Sequence, residues 1–510
     1  MSPRLLTLAA GLLGWALALY NTSVAYDRPL DEIHRHTSRF WDETAVAASH
    51  VVNAGRDAAW ADLASNEGGD LRNAFKRYVP REAAEAGIRP WQFWRTIEVK
   101  PFLRRARLNQ RPYDDPGRAL LLRLGYHAFG GVAPYLAVWL GVLAMGPALV
   151  WLAWELGAAG RRVEGVVLPL LLGLSGFVVD VLGLPYSAAG FYVVAMALLV
   201  AFGAYALLSP SVTPRGLLAR GLAAGLGFAL CACTRSSTLL LAGGFLAAAA
   251  CGAWRASPAG GRRARGLLAL GVAATLLVPY ALVRPPRHHG VWGDLWQGLG
   301  DFDRTRGHAW SDGELRKMLR REGVKIGRNV GTDFESKATE AVLRRIFIDD
   351  LREAPAWYAG ILARRVVWTL TQWKLHPYGP TDGISIAPQT SENEGLTDAY
   401  YAMVTPLDVF VLGGWRREVR LEWLWLPPLA LVAAWGVARR RGLTETARRL
   451  GGALLFLACL ALATLPVPVL ISTSSTFETQ AFAFVYFCGV AFAGGELTRI
   501  LARRWPRRAA

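Results

Sequence analysis

Apolar and polar residues alternate along this chain in long blocks. A helix needs about 20 apolar residues to cross a hydrocarbon core of ~30 Å, because it rises ~1.5 Å per residue. About ten stretches reach or approach that length, and we predict membrane spans at 4–20, 130–155, 164–185, 189–208, 217–234, 236–254, 266–283, 421–438, 450–470 and 478–498. The pattern predicts an all-α polytopic membrane protein in which two long polar segments interrupt the spans.

The arginines of the short linkers fall on every second gap between these spans. Cytoplasmic loops concentrate Lys and Arg, so the linkers that carry Arg161, Arg215, Arg262 and Arg439 are predicted to be cytoplasmic. Both termini are then inside, and both long segments are external. The predicted organisation is a first transmembrane helix at 1–20, an external loop with a juxtamembrane amphipathic helix at 21–128, transmembrane helices two to seven at 129–283, a large helical external loop at 284–420, and transmembrane helices eight to ten with a basic tail at 421–510.

Composition supports this interpretation. A formal net charge of +18 in a soluble protein would suggest binding to nucleic acid. Here much of the excess lies in the linkers, beside anionic lipid headgroups. We therefore expect membrane lipids as partners and no nucleic acid.

Acidic side chains within or beside a span are costly and are candidates for function. Four of them lie on the predicted external face: Asp27, Asp31, Asp180 and Glu478. Each also has a structural interpretation. Asp27 and Asp31 could cap the juxtamembrane helix, Asp180 could pair with a structural arginine, and Glu478 could interact with a helix dipole.

The basic candidates on the same face are Arg235, Arg284 and Arg287. A guanidinium group binds phosphate through two parallel hydrogen bonds, although headgroup contact would explain each arginine singly. His288 and His289 lack a third ligand at metal spacing, so the sequence predicts no metal site from these residues.

The layout resembles the GT-C superfamily of polytopic glycosyltransferases, which includes the protein mannosyltransferases and the lipid A aminoarabinose transferases. Three features carry the resemblance: an acid-bearing external loop after the first span, an acid at the outer end of the third span (Asp180), and the Thr-Arg step in the segment 233–237. The polar and acidic entry to the last span, at 474–478, is also similar.

This resemblance implies transfer of a sugar, with inversion, from a polyprenyl-phosphate carrier to a glycan, lipid or protein acceptor outside the membrane. It implies Asp27 or Asp31 as the general base, with Asp180 as a further catalytic residue. Arg235, Arg284, Arg287 and Glu478 would bind substrate. Some members use a divalent metal and others do not, so the cofactor stays open.

Two other classes remain open at this point. O-antigen ligases and polymerases also have large external loops, handle lipid-pyrophosphate glycans, and depend more on external Arg and His, here Arg287 and His289. A non-catalytic transporter or scaffold is the third class. The composition, rich in Arg, Ala and Gly, is typical of a high-GC bacterial genome, so we expect a bacterial inner membrane with the active site facing outward.

Overall fold

The computed structural model describes residues 3–26, 62–63, 108–109, 121, 128, 136–183, 190–257, 261–283, 291–300, 306–308, 312–324, 337–371, 408–418, 425–471 and 482–504. About 88% of the described residues are helical. The described part is a helix bundle with two short pairs of antiparallel strands. The predicted all-α architecture is thus confirmed at this level.

The described helices are α1 (Pro3–Tyr26), α2 (Leu136–Ala158), α3 (Arg162–Leu174), α4 (Gly176–Gly183), α5 (Gly190–Gly203), α6 (Pro214–Thr234), α7 (Ala242–Ala256), α8 (Arg262–Val283), α9 (Val291–Gly298), α10 (Asp312–Arg321), α11 (Lys337–Glu353), α12 (Pro355–Thr371), α13 (Leu426–Arg440), α14 (Thr444–Thr464) and α15 (Ala483–Arg504). π-helical turns extend α5 (Ala204–Leu208) and follow α14 (Val467–Ile471), and a 3-10 turn (Ser236–Leu241) precedes α7. The strands are β1 (Asp62–Leu63) with β2 (Leu108–Asn109), and β3 (Asp408–Leu412) with β4 (Trp415–Glu418).

Eight described helices are long and apolar enough to cross a membrane. They are Arg4–Val24, Val138–Ala158, Gly190–Leu208, Pro214–Thr234, Ser237–Ala256, Arg262–Leu282, Thr444–Thr464 and Ala483–Ala502. The chain is therefore a multi-pass membrane protein. The count of ten is not confirmed, because the predicted spans at 164–185 and 421–438 correspond to shorter helices.

The two shorter segments have identifiable boundaries. The first is divided at Ser175, whose hydroxyl accepts a hydrogen bond from the Val178 amide and so caps the start of α4. Ser175 also forms an isolated antiparallel bridge with Phe410 of β3. The second is α13, which has 15 residues and begins with proline in its first turn, where a missing N–H costs nothing.

Glycines set the closest contacts of α1. A Cβ added at Gly14 would collide with the carbonyl of Pro169, and one added at Gly173 would collide with the carbonyl of Gly14. Near the start of α1, Thr7 contacts Gly157 of α2 and Gly165 of α3. The helix α1 therefore runs antiparallel to α2 and parallel to α3.

One end of the bundle, the basic end, gathers the turn after α2, the end of α5, the end of α7, the start of α14 and the end of α15. Arg161, Arg255, Arg448, Arg449 and Arg499 line one cavity there. The basic linkers that the sequence predicts to be cytoplasmic thus meet at one end of the bundle. The opposite end is called the far end below.

Both long polar segments join the bundle at the far end. The first begins after Tyr26 and returns at Leu136, and the second begins after Val283 and returns to α13. Asn21 of α1 fixes the β3–β4 hairpin at this end: its side-chain amide donates to the carbonyls of Gly173 and Val411 at 3.1 and 2.9 Å, and its oxygen accepts from the Gly413 amide at 2.7 Å.

The helices α9 to α12 form a small helical layer at the far end. Trp296, Leu315, Leu319 and Leu343 are buried together in one of its clusters, and Leu299, Phe347 and Ile361 in the other. The last helix of the layer contacts the bundle, because the carbonyl of Leu370 accepts hydrogen bonds from the Trp425 indole at 2.6 Å and from the Tyr486 hydroxyl.

Candidate functional site

The end of α1 and the helix α4 lie at the same end of the bundle. The chain leaves α1 at Tyr26, one residue before Asp27, and Asp180 lies in α4. Both α3 and α4 pack on α1, and α1 and α3 run in parallel. Asp27 follows Asn21 by six positions and Asp180 follows Gly173 by seven, and Asn21 and Gly173 are hydrogen-bonded.

Asn21 lies five residues before the end of α1, and Gly173 lies three residues before the start of α4. The end of α1 and the start of α4 are therefore both close to the Asn21–Gly173 contact. Asp27 and Asp31 themselves lie outside the described residues, as does the side chain of Asp180.

The predicted phosphate-binding arginines come from the ends of two other helices. Arg235 is the residue after α6, where it is half-buried in an extended conformation with φ −140° and ψ 103°. Its backbone amide donates to the Cys231 carbonyl at 2.8 Å. At this end Tyr280 of α8 packs against Ala232 and Cys233 of α6. The chain leaves α8 at Val283, one residue before Arg284. Arg235 and Arg284 therefore follow two helix ends that contact each other.

Arg284, Arg287 and Glu478 lie outside the described residues. Glu478 precedes α15, whose first turn is at the far end beside Trp425 and Leu370. The helix α1 packs on α2, α3 and α4, whereas α6 packs on α5, α7 and α8. The helix α5 contacts both α2 and α6. It therefore lies between the helices that lead to the predicted acids, α1 and α4, and those that lead to the predicted arginines, α6 and α8.

Arg365, a basic residue of the second long segment, has a structural role. Its side chain is 1% exposed. One guanidinium nitrogen donates to the carbonyls of Val469 and Leu470, both at 3.1 Å, and the other donates to the carbonyl of Gly298 at 2.5 Å. Arg365 therefore joins α9, α12 and the π turn after α14. Its neighbour Arg364 is exposed.

A buried histidine lies within the far-end layer. His308 is enclosed between the rings of Trp296 and Trp357, with ring centroids at 5.0 and 5.7 Å. Its Nε2 lies 3.1 Å from Asp350 Oδ2, without the alignment of a hydrogen bond. Burial, and then the charge of Arg306, lower the pKa of His308 to about 4. Burial raises the pKa of Asp350. The imidazole is neutral near pH 7.

Sequence reasoning missed a second polar cluster, at the basic end. Glu155, Glu164 and Glu496 are almost fully buried. The signal is present in the sequence, because all three are acids within or beside apolar stretches, although they lie on the predicted cytoplasmic side. Glu155 pairs with Arg220 at 2.5 Å and bonds the Trp151 indole at 3.0 Å. The other two carboxylates pair with arginines.

Within the described residues no group of three or more His, Cys, Asp and Glu side chains could hold a metal ion. Most of the predicted acids lie outside that part of the chain, so divalent-metal use stays a prediction.

Comparison of the chain with protein-family models, curated proteins and solved structures finds no match in any of the three.

Proposed function

We propose that this chain is an integral membrane glycosyltransferase of the GT-C type. It would move a sugar from a polyprenyl-phosphate carrier to an acceptor on the outer face of a bacterial inner membrane. The observation that supports this most directly is the packing of α1 on both α3 and α4: the chain leaves α1, one residue before Asp27, at the end of the bundle where α4 carries Asp180.

The location suits the substrate. A polyprenyl phosphate keeps its tail in the bilayer and its phosphate at the interface, so the reacting sugar carbon lies just outside the hydrocarbon. Residues within about two turns of a helix end lie at that depth, since each turn rises ~5.4 Å. Asp27, Asp31, Asp180, Arg235 and Arg284 all follow or occupy helix ends of this kind.

In the proposed reaction the acceptor hydroxyl or amine attacks the anomeric carbon. A new bond forms from that carbon to the acceptor, and the bond to the phosphate oxygen breaks, which leaves polyprenyl phosphate. Asp27 or Asp31 takes the acceptor proton as general base. Arg235, Arg284 and Arg287 offset the charge on the leaving phosphate. Asp180 acts as a further catalytic carboxylate beside the reacting groups, and Glu478 binds substrate.

The proposal includes a ten-span topology with the basic end in the cytoplasm. The helix α3 begins at the basic end beside Arg161, and the extended α5 returns there at Leu208. The extended α5 covers 19 residues, or roughly 28 Å of rise. The chain runs outward from Arg162 before it enters α5, and α3 and α4 together supply 21 helical residues for that course.

The experiment is a transfer assay with the purified protein in lipid nanodiscs. The donor is a polyprenyl-phosphate-linked sugar labelled in the sugar ring, and the products are labelled acceptor and free polyprenyl phosphate in equal amounts. Turnover that Asp180→Asn abolishes, in a protein that still inserts and folds, supports the proposal. Turnover only with a lipid-pyrophosphate oligosaccharide would replace it with the ligase or polymerase class.

A further inference from the structure

The basic end holds a cavity of about 500 Å³ that the proposed reaction does not use. Five arginines from four parts of the chain line it, together with Ser209, Glu445, Gly160 of the turn after α2, and Gly451 and Gly452 of α14. A volume of this size accommodates a small ligand or a lipid headgroup.

Three of the arginines form the inner wall and share two buried carboxylates. Arg161 donates to Glu164 at 3.1 Å and to Glu496 at 2.9 Å. Arg449 pairs with both oxygens of Glu496, and Arg499 contacts both Glu164 and Glu496 at 2.8 Å. Three positive charges therefore face two negative charges, and the network is rigid, because each carboxylate accepts from at least two arginines.

The remaining two arginines belong to different helices. Arg255 donates to the carbonyls of Ala206 at 3.1 Å and Ser209 at 2.7 Å, which orient its guanidinium group without neutralising it. Arg448 pairs with Glu445 at 2.7 Å on an exposed surface, where such a pair contributes little. Arg255 and Arg448 are close enough for their charges to repel.

The charge balance of the cavity thus calls for an anion. Its five arginines face three carboxylates, those of Glu164, Glu445 and Glu496, which leaves an excess of two positive charges. A phosphate group would relieve the repulsion between Arg255 and Arg448 and would accept hydrogen bonds in the geometry that guanidinium groups favour.

The surroundings indicate that this phosphate belongs to a lipid. The cavity lies at the ends of membrane-spanning helices, which is headgroup depth, and Leu207, Leu208 and Leu455 form part of its lining. Leu455 and Leu462, two turns apart on one face of α14, are 41% and 51% exposed and offer an apolar track for an acyl chain.

We propose that this cavity is a binding site for the phosphate headgroup of an anionic membrane lipid. The basic linkers predict that it opens to the cytoplasmic leaflet. The site is separate from the far-end site and does not depend on the glycosyltransferase proposal.

The test measures lipid retention by native mass spectrometry. The full-length protein is extracted from vesicles that contain equal amounts of phosphatidylglycerol and phosphatidylcholine. The variant is Arg255→Gln with Arg448→Gln, which leaves the inner carboxylate network intact. The matched control is Arg440→Gln with Arg441→Gln, two exposed arginines at the same end that do not line the cavity.

The wild-type protein should retain one phosphatidylglycerol in preference to phosphatidylcholine. The cavity variant should bind it at least tenfold more weakly, and the control should change less than twofold. If the double variant does not fold, Arg448→Gln alone should weaken binding about threefold, because Arg448 is on the surface. Equal retention of both lipids, or no difference between the cavity variant and the control, would overturn the proposal.

A second arm separates a lipid from a free anion. Inorganic phosphate and glycerol 1-phosphate are added at millimolar concentration to the delipidated protein, and thermal unfolding is followed. Stabilisation by phosphatidylglycerol that exceeds stabilisation by either soluble anion supports the lipid site. Equal stabilisation by inorganic phosphate would assign the cavity to a soluble anion instead.

Discussion

At the scale of single residues, the arginines of this protein divide into several physical roles. Arg365 is enclosed among backbone carbonyls, Arg161 shares buried carboxylates, and Arg235 follows a helix end where the far-end site is proposed. The sequence shows all of them only as positive charges beside apolar stretches. Burial and hydrogen-bond partners separate the roles, and they depend on contacts between residues up to several hundred positions apart.

The role of Arg365 predicts a large effect on stability. Arg365→Met leaves the carbonyls of Val469, Leu470 and Gly298 without this donor, and an unsatisfied buried polar group costs roughly 1–3 kcal/mol. We expect the free energy of unfolding to fall by at least about 2 kcal/mol. The exposed Arg364→Met is the matched control. Equal midpoints of thermal unfolding for the two variants would contradict this structural role.

The buried His308 predicts a pH dependence of the far-end layer. Its pKa is lowered to about 4 in the folded chain, below the ~6.5 of an exposed histidine. Between these values the unfolded chain binds the proton and the folded chain does not. Stability is therefore fully present above pH 6.5 and declines as the pH falls towards 4, by at most about 3 kcal/mol. Burial raises the pKa of Asp350, so the folded chain binds this proton more tightly than the unfolded chain does. At acidic pH this group therefore favours the folded state, opposite to the effect of His308.

Hydrogen exchange of α11 and α12 at pH 7 and pH 5, corrected for the intrinsic rate, measures this effect. His308→Phe keeps a ring between Trp296 and Trp357 and removes the titrating group. The variant should show a smaller loss of protection at pH 5 than the wild type. Identical losses in both proteins would assign the pH dependence to other groups.

At the scale of elements, the sequence predicted regular helices well and their interruptions poorly. The predicted span at 189–208 coincides with the extended α5, Gly190–Leu208, because its apolar residues lie in one continuous stretch. The break at Ser175 was missed, since it depends on pairing with Phe410, 235 positions away. The β3–β4 hairpin was missed for the same reason, as Asn21 stabilises it from α1.

The close approach of α1 to α3 gives a prediction at this scale. Gly173→Ala would place a Cβ against the backbone of Gly14, and overpacking of this kind costs about 1–3 kcal/mol. Gly436→Ala in α13 is the control, because its Cβ would meet open space. The first variant should lower the unfolding midpoint and the second should not. A midpoint for Gly173→Ala equal to that of the control would show that α1 does not pack as described.

At the scale of the whole molecule, the account depends on two opposite ends. The basic linkers converge on one cavity, and both long polar segments join the bundle at the other end. Charge patterning in the sequence anticipates this division. It could not anticipate which acids and arginines come together within each end, because that depends on which helices pack side by side.

Cysteine labelling tests the sidedness of these ends. Lys317→Cys in α10 and Ser65→Cys in the first long segment should react with an impermeant thiol reagent in intact cells. Arg441→Cys, at the basic end, should react only after permeabilisation. Four of the five native cysteines are buried, so background labelling should be low. Labelling of Arg441→Cys in intact cells, or of only one of the other two variants, would contradict the proposed topology.

The most direct test of the central claim compares Asp27→Asn and Asp31→Asn in the transfer assay with a polyprenyl-phosphate-linked sugar. A general base contributes typically ~10²–10⁴-fold to the rate. One variant should therefore lose most of its turnover while it still binds the carrier, and the other should change little, because only one carboxylate takes the proton. Equal, near-wild-type rates for both variants would contradict a general base that lies just after the first helix.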